Sequence, residues 1–285
     1  SRNHIFANLN FNLDEDKSYQ SNLSFKVQRT SNDTYFRKHD INTALVKAEN
    51  TTLENEIKYE FFKDDMYLDI TTNVYQNLRE KKNSDQYEYI LPNIMYGKTF
   101  FTEKFGVLDF TSNALYKKYE TNKETTFLTN DVIWSPSSFI TQNGFVNTLQ
   151  GMIRNTNYEA KKTKEYKDEG TVNEISGVLS YKTSLPMKKD GINYSNLFSP
   201  NFMVRYAPGH MRDLSGKDVT LDYSNLYSLN KTSEIEDGLS AILGLDFKIN
   251  EKKTEREKLS LSIGQIFNYE KNKDVPNKSS LDQRM

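Results

Sequence analysis

Residue types that do chemistry are thinly placed along this chain. Its three histidines, His4, His39 and His210, stand far apart and outside the paired helical spacing that holds a catalytic zinc. Each reads as an ordinary strand or loop residue. The chain contains no cysteine, which removes disulfides, thiolate nucleophiles and zinc–thiolate sites together. Carboxylates are plentiful, but they sit on polar positions throughout, and no spacing marks an acid/base pair. Gly-rich phosphate loops and G-x-S-x-G turns are absent. The expectation is a protein that is not an enzyme and carries no cofactor and no metal.

The elements that carry these residues show a two-residue period. In the stretch opened by Gly238, apolar side chains fall on every second position, Leu239, Ala241, Leu243, Leu245, Phe247 and Ile249, with Ser240, Gly244, Asp246 and Lys248 between them. After the polar break at Asn250–Lys253 the alternation returns as Leu259, Leu261, Ile263 and Phe267. At about 100° per residue a helix would scatter these side chains, so only a strand gives them a common face. The same rule writes a hairpin over Ile5–Leu13 and Tyr19–Val27, turning at Asp14–Ser18, and another over Leu53–Phe61 and Met66–Val74, turning at Asp64–Asp65. Further strands are expected near 86–96, 105–117, 126–134, 144–158, 173–184, 200–207 and 217–224. Pro92 and Pro136 each remove a ladder donor and belong near strand ends, bulges or loops. The Lys-rich run Ala160–Gly170 reads as a solvated loop. The fold expected is all-β, one antiparallel meander of about 14 strands, with no domain boundary and no fixed-period repeat.

Composition narrows the class. With 38 basic and 39 acidic residues, no basic surface for nucleic acid is announced. No apolar run approaches the roughly 20 residues of a membrane-spanning helix, yet a transmembrane barrel stays open, because its strands show lipid only every second residue. The abundant Tyr and Phe fit a core between packed sheets or the lipid-facing and girdle positions of a barrel. The opposite strand faces carry Asn, Gln, Lys, Glu, Thr and Ser, as a water-filled lumen would. On that reading Leu239, Leu243, Leu245, Phe247, Leu259, Leu261 and Ile263 face lipid.

Several segments then resemble the LptD family of lipopolysaccharide-assembly outer-membrane proteins, in its C-terminal barrel region. They are Ser195-Asn-Leu-Phe-Ser-Pro-Asn-Phe-Met-Val-Arg-Tyr-Ala-Pro, then Thr220-Leu-Asp-Tyr-Ser-Asn-Leu-Tyr-Ser-Leu-Asn-Lys with Gly238, then Leu261-Ser-Ile-Gly-Gln-Ile-Phe-Asn268. Asp33-Thr-Tyr-Phe-Arg37 and Thr51-Thr-Leu-Glu-Asn-Glu56 are similar to its early strands. The family-motif positions are Asn225, Leu226, Tyr227, Ser228, Asn230, Gly238, Gly264 and Gln265. Where the family writes Arg-x-Ser-Gly-x-Asp-Arg, this chain has Lys231-Thr-Ser-Glu-Ile-Glu-Asp237.

The resemblance implies a Gram-negative outer-membrane barrel for lipopolysaccharide transport and assembly. Its implied partners are lipopolysaccharide, an LptE-like plug lipoprotein, periplasmic lipopolysaccharide-bridge proteins and outer-membrane lipid. Residues 1–285 are then expected to be part of a large transmembrane β-barrel, an open curved sheet if seen alone, with the N-terminal periplasmic domain and the closing strands outside this fragment. Loops 32–50 and 160–170 are expected on the cell exterior and the turns at 14–18 and 64–65 on the periplasmic side. A general porin or uptake barrel shares the alternation and stays open, as does a soluble all-β binding protein. A barrel enzyme lacks its constellation.

Overall fold

The computed structural model describes residues 3–13, 18–81, 83–120, 122–163, 170–209, 211, 214–215, 221–232 and 234–276. The turn expected at 14–18 lies outside them at 14–17, as do His210, most of the 160–170 loop and residues 217–220.

The fold is all-β; the described residues form 14 strands and two helices of a single turn, α1 (Tyr35–His39) and α2 (Asn83–Gln86). The strands are β1 (His4–Asn12), β2 (Gln20–Thr30), β3 (Thr52–Lys63), β4 (Met66–Asn77), β5 (Tyr87–Thr102), β6 (Gly106–Tyr119), β7 (Lys123–Ser135), β8 (Phe139–Ile140), β9 (Val146–Lys161), β10 (Thr171–Ser184), β11 (Met187–Asp190), β12 (Tyr194–Ala207), β13 (Gly238–Glu251) and β14 (Glu257–Asn268). They form one antiparallel meander in sequence order from β1 to β14, with β8 paired to β9 and β11 paired to β12 off the main path. Among the described residues no ladder joins β1 to β14.

Two departures from the sequence expectation have plain causes. β11 continues the ladder begun by β10 after Leu185–Pro186, where the proline has no N–H to donate. Residues 221–224, expected to finish a strand, pair with no strand, and Tyr223 and Ser224 begin a turn instead. The Asp222 carboxylate accepts the Ser224 amide at 2.8 Å and the Asn225 amide at 3.3 Å, while the Asp222 amide donates to the Asn225 side chain at 3.0 Å. This local closure offers the backbone an alternative to a ladder.

The chain divides into two compact units. The first holds residues 1–100, 109–131 and 155–174. Its register sets Leu9 opposite Phe25, Phe25 opposite Ile57 and Tyr59 opposite Ile70 on one face. The other face carries Asn8, Lys26, Glu56, Lys58 and Asp69, and there Lys26 pairs with Glu54 and Lys58 reaches Asp69 at 3.3 Å. A small cluster of Val46, Leu53 and Leu78 packs with Phe6 and Ile41.

The second unit holds residues 101–108, 132–154 and 175–285. In it β12, β13 and β14 run side by side, Phe202 opposite Leu243 and Met203 opposite Ile242, then Leu245 opposite Ile263 and Asp246 opposite Ser262, with one register shift between β13 and β14 at Ile249/Asn250. Its buried residues form two clusters, one of Met203, Met211, Leu214, Leu226, Ile242, Ile266 and Val275, the other of Met152, Val178, Ala207, Leu229 and Ile235. Both draw on the connection between β12 and β13, which folds back over one face of its own strands.

Candidate functional site

The two faces of β12, β13 and β14 have opposite fates. Residues directly opposite in an antiparallel ladder share a face, so the pairs Leu243–Gln265, Leu245–Ile263 and Phe247–Leu261 place all six on one side. On that side Leu239, Leu243, Leu259, Leu261 and Ile263 are exposed, Leu243 by 52%, and Leu245 and Phe247 are half-buried. β12 extends this surface with Phe198, Phe202 and Tyr206, also exposed. No second layer of the described chain covers Leu243, Leu261 or Ile263. Gln265 interrupts the apolar run, and its amide donates to the Ile266 carbonyl at 3.2 Å.

On the other face the out-of-phase residues Ile242 and Ile266 vanish from solvent, Ile242 to 0% exposure. They are covered by the β12–β13 connection, which carries the family-motif residues Asn225, Leu226, Tyr227, Ser228 and Asn230. Leu226 packs in the cluster with Ile242 and Ile266, and Leu229 packs with Met152 and Val178. Segment 269–276 adds Val275 to the same cluster, and the Leu214 amide donates to the Asp274 carbonyl at 2.7 Å.

Glycine sets how closely this strap approaches the wall. A Cβ built on Gly264 would overlap Leu226, and one built on Gly244 would overlap the Tyr227 hydroxyl. Both glycines therefore serve as flat seats for strap side chains. Gly238 has a different duty: it opens β13 at φ +96°, where a side chain would be strained.

Beneath the strap one carboxylate gathers the polar groups of the wall. Asp246 accepts Asn201 Nδ2 at 2.8 Å and Ser262 Oγ at 2.6 Å. Tyr223 lies against the same carboxylate, and burial first, then Asp246, raises its phenol above the usual range. Lys182 sits 4.2 Å from the centroid of the Tyr227 ring, a cation–π contact.

At the other end of the strap Arg205, 2% exposed, meets Glu236 at 3.2 Å and donates from Nε to the Leu229 carbonyl. Glu236 also accepts the Lys231 amide at 2.6 Å. The Lys231 ammonium is buried as well and donates to the Ser228 carbonyl at 3.4 Å. Burial, reinforced by the Arg205 charge, lowers its pKa to about 8, and Glu236 opposes the shift. The segment 231–237, where the chain departs from the family wording, therefore supplies Lys231 and Glu236 to a buried ionic latch.

Chemically this is a latch and a seat. Its ion pair joins Arg205 to Glu236 and Asp246 is engaged by Asn201 and Ser262. Among the described residues the buried Tyr223 and Tyr227 hydroxyls meet no hydrogen-bond partner, and no cluster of side chains could hold a metal ion. The alternation in sequence pointed to the exposed face. Arg205, Met203, Ile242 and Ile266 were not foreseen as functional. The signal for them was available in Ile242 and Ile266, apolar residues standing on the polar phase of their strands.

Comparison with known proteins agrees with the motifs. No curated protein matches the chain. The family model of LptD, LPS transport system D, matches residues 1–285, the whole length over which the meander runs. The chain belongs to the LptD family, outer-membrane proteins of LPS transport and assembly rather than enzymes.

Proposed function

We propose that residues 1–285 form part of the wall of a transmembrane β-barrel that delivers LPS to the outer membrane. The observation that carries this reading is the split between the faces of β12, β13 and β14. Leu243, Leu261 and Ile263 stand exposed on one side, while the chain's own strap packs on the other. A sheet can cross a bilayer only when its backbone groups are paired and its outer side chains are apolar. β12 and β13, at 14 residues each, exceed the roughly 9–11 residues a spanning strand needs.

On this reading Leu239, Leu243, Leu245, Phe247, Leu259, Leu261 and Ile263 face lipid, and the face bearing Asp246 and the strap lines the lumen. Asn225 to Asn230, with Gly238, Gly264 and Gln265, are structural: they seat and orient the strap. An LptE-like plug lipoprotein and the periplasmic LPS-bridge proteins are the working partners. A porin of the same architecture would move solutes through its lumen, and a strap packed on the lumenal face disfavours that use.

Planar-bilayer conductance of the complete protein, with and without its plug partner, separates the two. The expected result is negligible steady conductance with the partner bound, together with LPS delivery to the outer leaflet of reconstituted vesicles. Large steady conductance in the plugged complex without LPS delivery would support the porin and defeat the proposal.

A further inference from the structure

The apolar face does not stop at the end of the ladder. Met187 pairs with Phe198, and Lys189 with Asn196, so both lie on the apolar face, Met187 extending the row of Phe198, Phe247 and Leu261 and Lys189 the row of Asn196, Ile249 and Leu259. The hairpin that follows turns at Gly191–Asn193 and presents Ile192 with 95% of its surface exposed, next to exposed Tyr194. An isoleucine at the tip of a turn, where Asn, Asp, Gly and Ser prevail, is unexplained by packing. Two strands away in the pairing order, β8 offers Phe139 and Ile140, also exposed. Its turn comes near the β10–β11 junction, where a Cβ on Gly144 would lie 3.7 Å from Leu185.

Cations accompany these apolar groups. The Lys252 amide donates to the Asn193 carbonyl at 2.9 Å, which joins the β13–β14 turn to the Ile192 hairpin. The two turns carry six basic side chains, Lys188, Lys189, Lys252, Lys253, Arg256 and Lys258, against four acidic ones, Asp190, Glu251, Glu255 and Glu257. Three of the acids are already engaged: Asp190 by Lys188 at 3.3 Å and Lys252 at 3.6 Å, Glu251 by Lys258 at 3.3 Å, Glu257 by Lys248 at 3.2 Å. Lys189 and Lys253 meet no carboxylate among the described residues.

We infer that this end of the apolar face binds the headgroup of an anionic phospholipid in the adjoining membrane leaflet, with Lys189 and Lys253 on the phosphate and Met187, Ile192 and Tyr194 among the upper acyl chains. The inference rests on the membrane-wall reading. An exposed isoleucine and tyrosine beside unpaired lysines is the chemistry of an interface, where the amphipathic groups bridge hydrocarbon and phosphate. A neutral sugar would leave the lysines unanswered. An acidic soluble partner would leave Ile192 in water.

The test is the lipid kept by the complete protein in nanodiscs of phosphatidylglycerol and phosphatidylcholine, read by mass spectrometry after detergent extraction. Wild type should hold phosphatidylglycerol several-fold above the supplied proportion. K189Q/K253Q should lose the enrichment while keeping its heat-modifiable gel shift, and K47Q/K81Q, changed in the loops at the opposite strand ends, should keep both. Retained lipid at the supplied proportion, or enrichment that survives K189Q/K253Q, overturns the inference and leaves the wall intact. Failure of the protein to enter nanodiscs at all overturns the wall reading and this inference with it.

Discussion

At the scale of single residues, the strap face is governed by two kinds of fit, steric and electrostatic. Gly244→Ala drives a methyl group into the Tyr227 hydroxyl, and overpacking of this kind costs about 1–3 kcal/mol. Removing the hydroxyl leaves the ring carbon Cζ, 3.1 Å from the new Cβ, as the nearest Tyr227 atom. Tyr227→Phe should therefore recover part of the loss in a Gly244→Ala background, as read by unfolding midpoints in detergent, and additive losses would contradict the geometry. Lys231 gives a pH signature. Its folded pKa is about 8 and its unfolded value about 10.4, so between those limits the unfolded chain holds more protons and stability rises with pH. The gain totals about 3 kcal/mol, is absent below pH 8 and complete near pH 10, after which ionisation of Tyr223, whose phenol is raised, reverses the sign. Lys231→Met should flatten the rise between pH 8 and 10 in hydrogen exchange of segment 221–237.

At the scale of elements, the strands were legible from sequence and the strap was not. A two-residue period leaves a strand no choice of face, so the sequence alone sets Leu243, Leu245 and Phe247 together with Leu261 and Ile263, and the β13–β14 ladder places them on one side. Leu221, Leu226, Leu229 and Ile235 follow no period, because a strap buries whichever side chains its turns deliver. The alternation of Val219, Leu221 and Tyr223 even imitates a strand, until Asp222 closes its own turn. Arginine substitutions separate the two faces. Leu243→Arg should cost roughly 2–4 kcal/mol if the position lies near the bilayer midplane, whereas Ser262→Arg gains Asp246 as a partner in place of the hydroxyl contact and should be tolerated. Equal losses in a membrane-insertion assay would refute the division of faces. Glu236→Ala, which strands the buried Arg205 charge, should cost about 3–5 kcal/mol, measured by proteolysis of the strap, and Arg205→Met/Glu236→Leu should cost less.

At the scale of the whole molecule, the meander assigns every connection to one end of the strands or the other. Alternate connections of an antiparallel path emerge at opposite ends, which groups 31–51, 78–86 and 208–237 together and sets 64–65, 103–105 and 252–256 against them. Short turns face the periplasm in outer-membrane barrels and longer loops face outward. Since residues 1–285 contain no cysteine, single replacements within them report cleanly once any cysteine elsewhere in the complete protein is replaced by serine. In intact cells expressing the complete protein, Asn42→Cys should react with a membrane-impermeant maleimide, while Asp65→Cys and Lys104→Cys should stay unlabelled until the envelope is opened. One position out of step would break the orientation.

The seat between Gly244 and Tyr227 also binds their histories. Neither residue can grow alone, and a larger side chain on the wall becomes affordable only after the strap has given up a ring or a hydroxyl. Descendants of this sequence should therefore exchange the two as a couple, and a lineage that inherits half of the trade would carry a wall whose inner covering no longer lies flat.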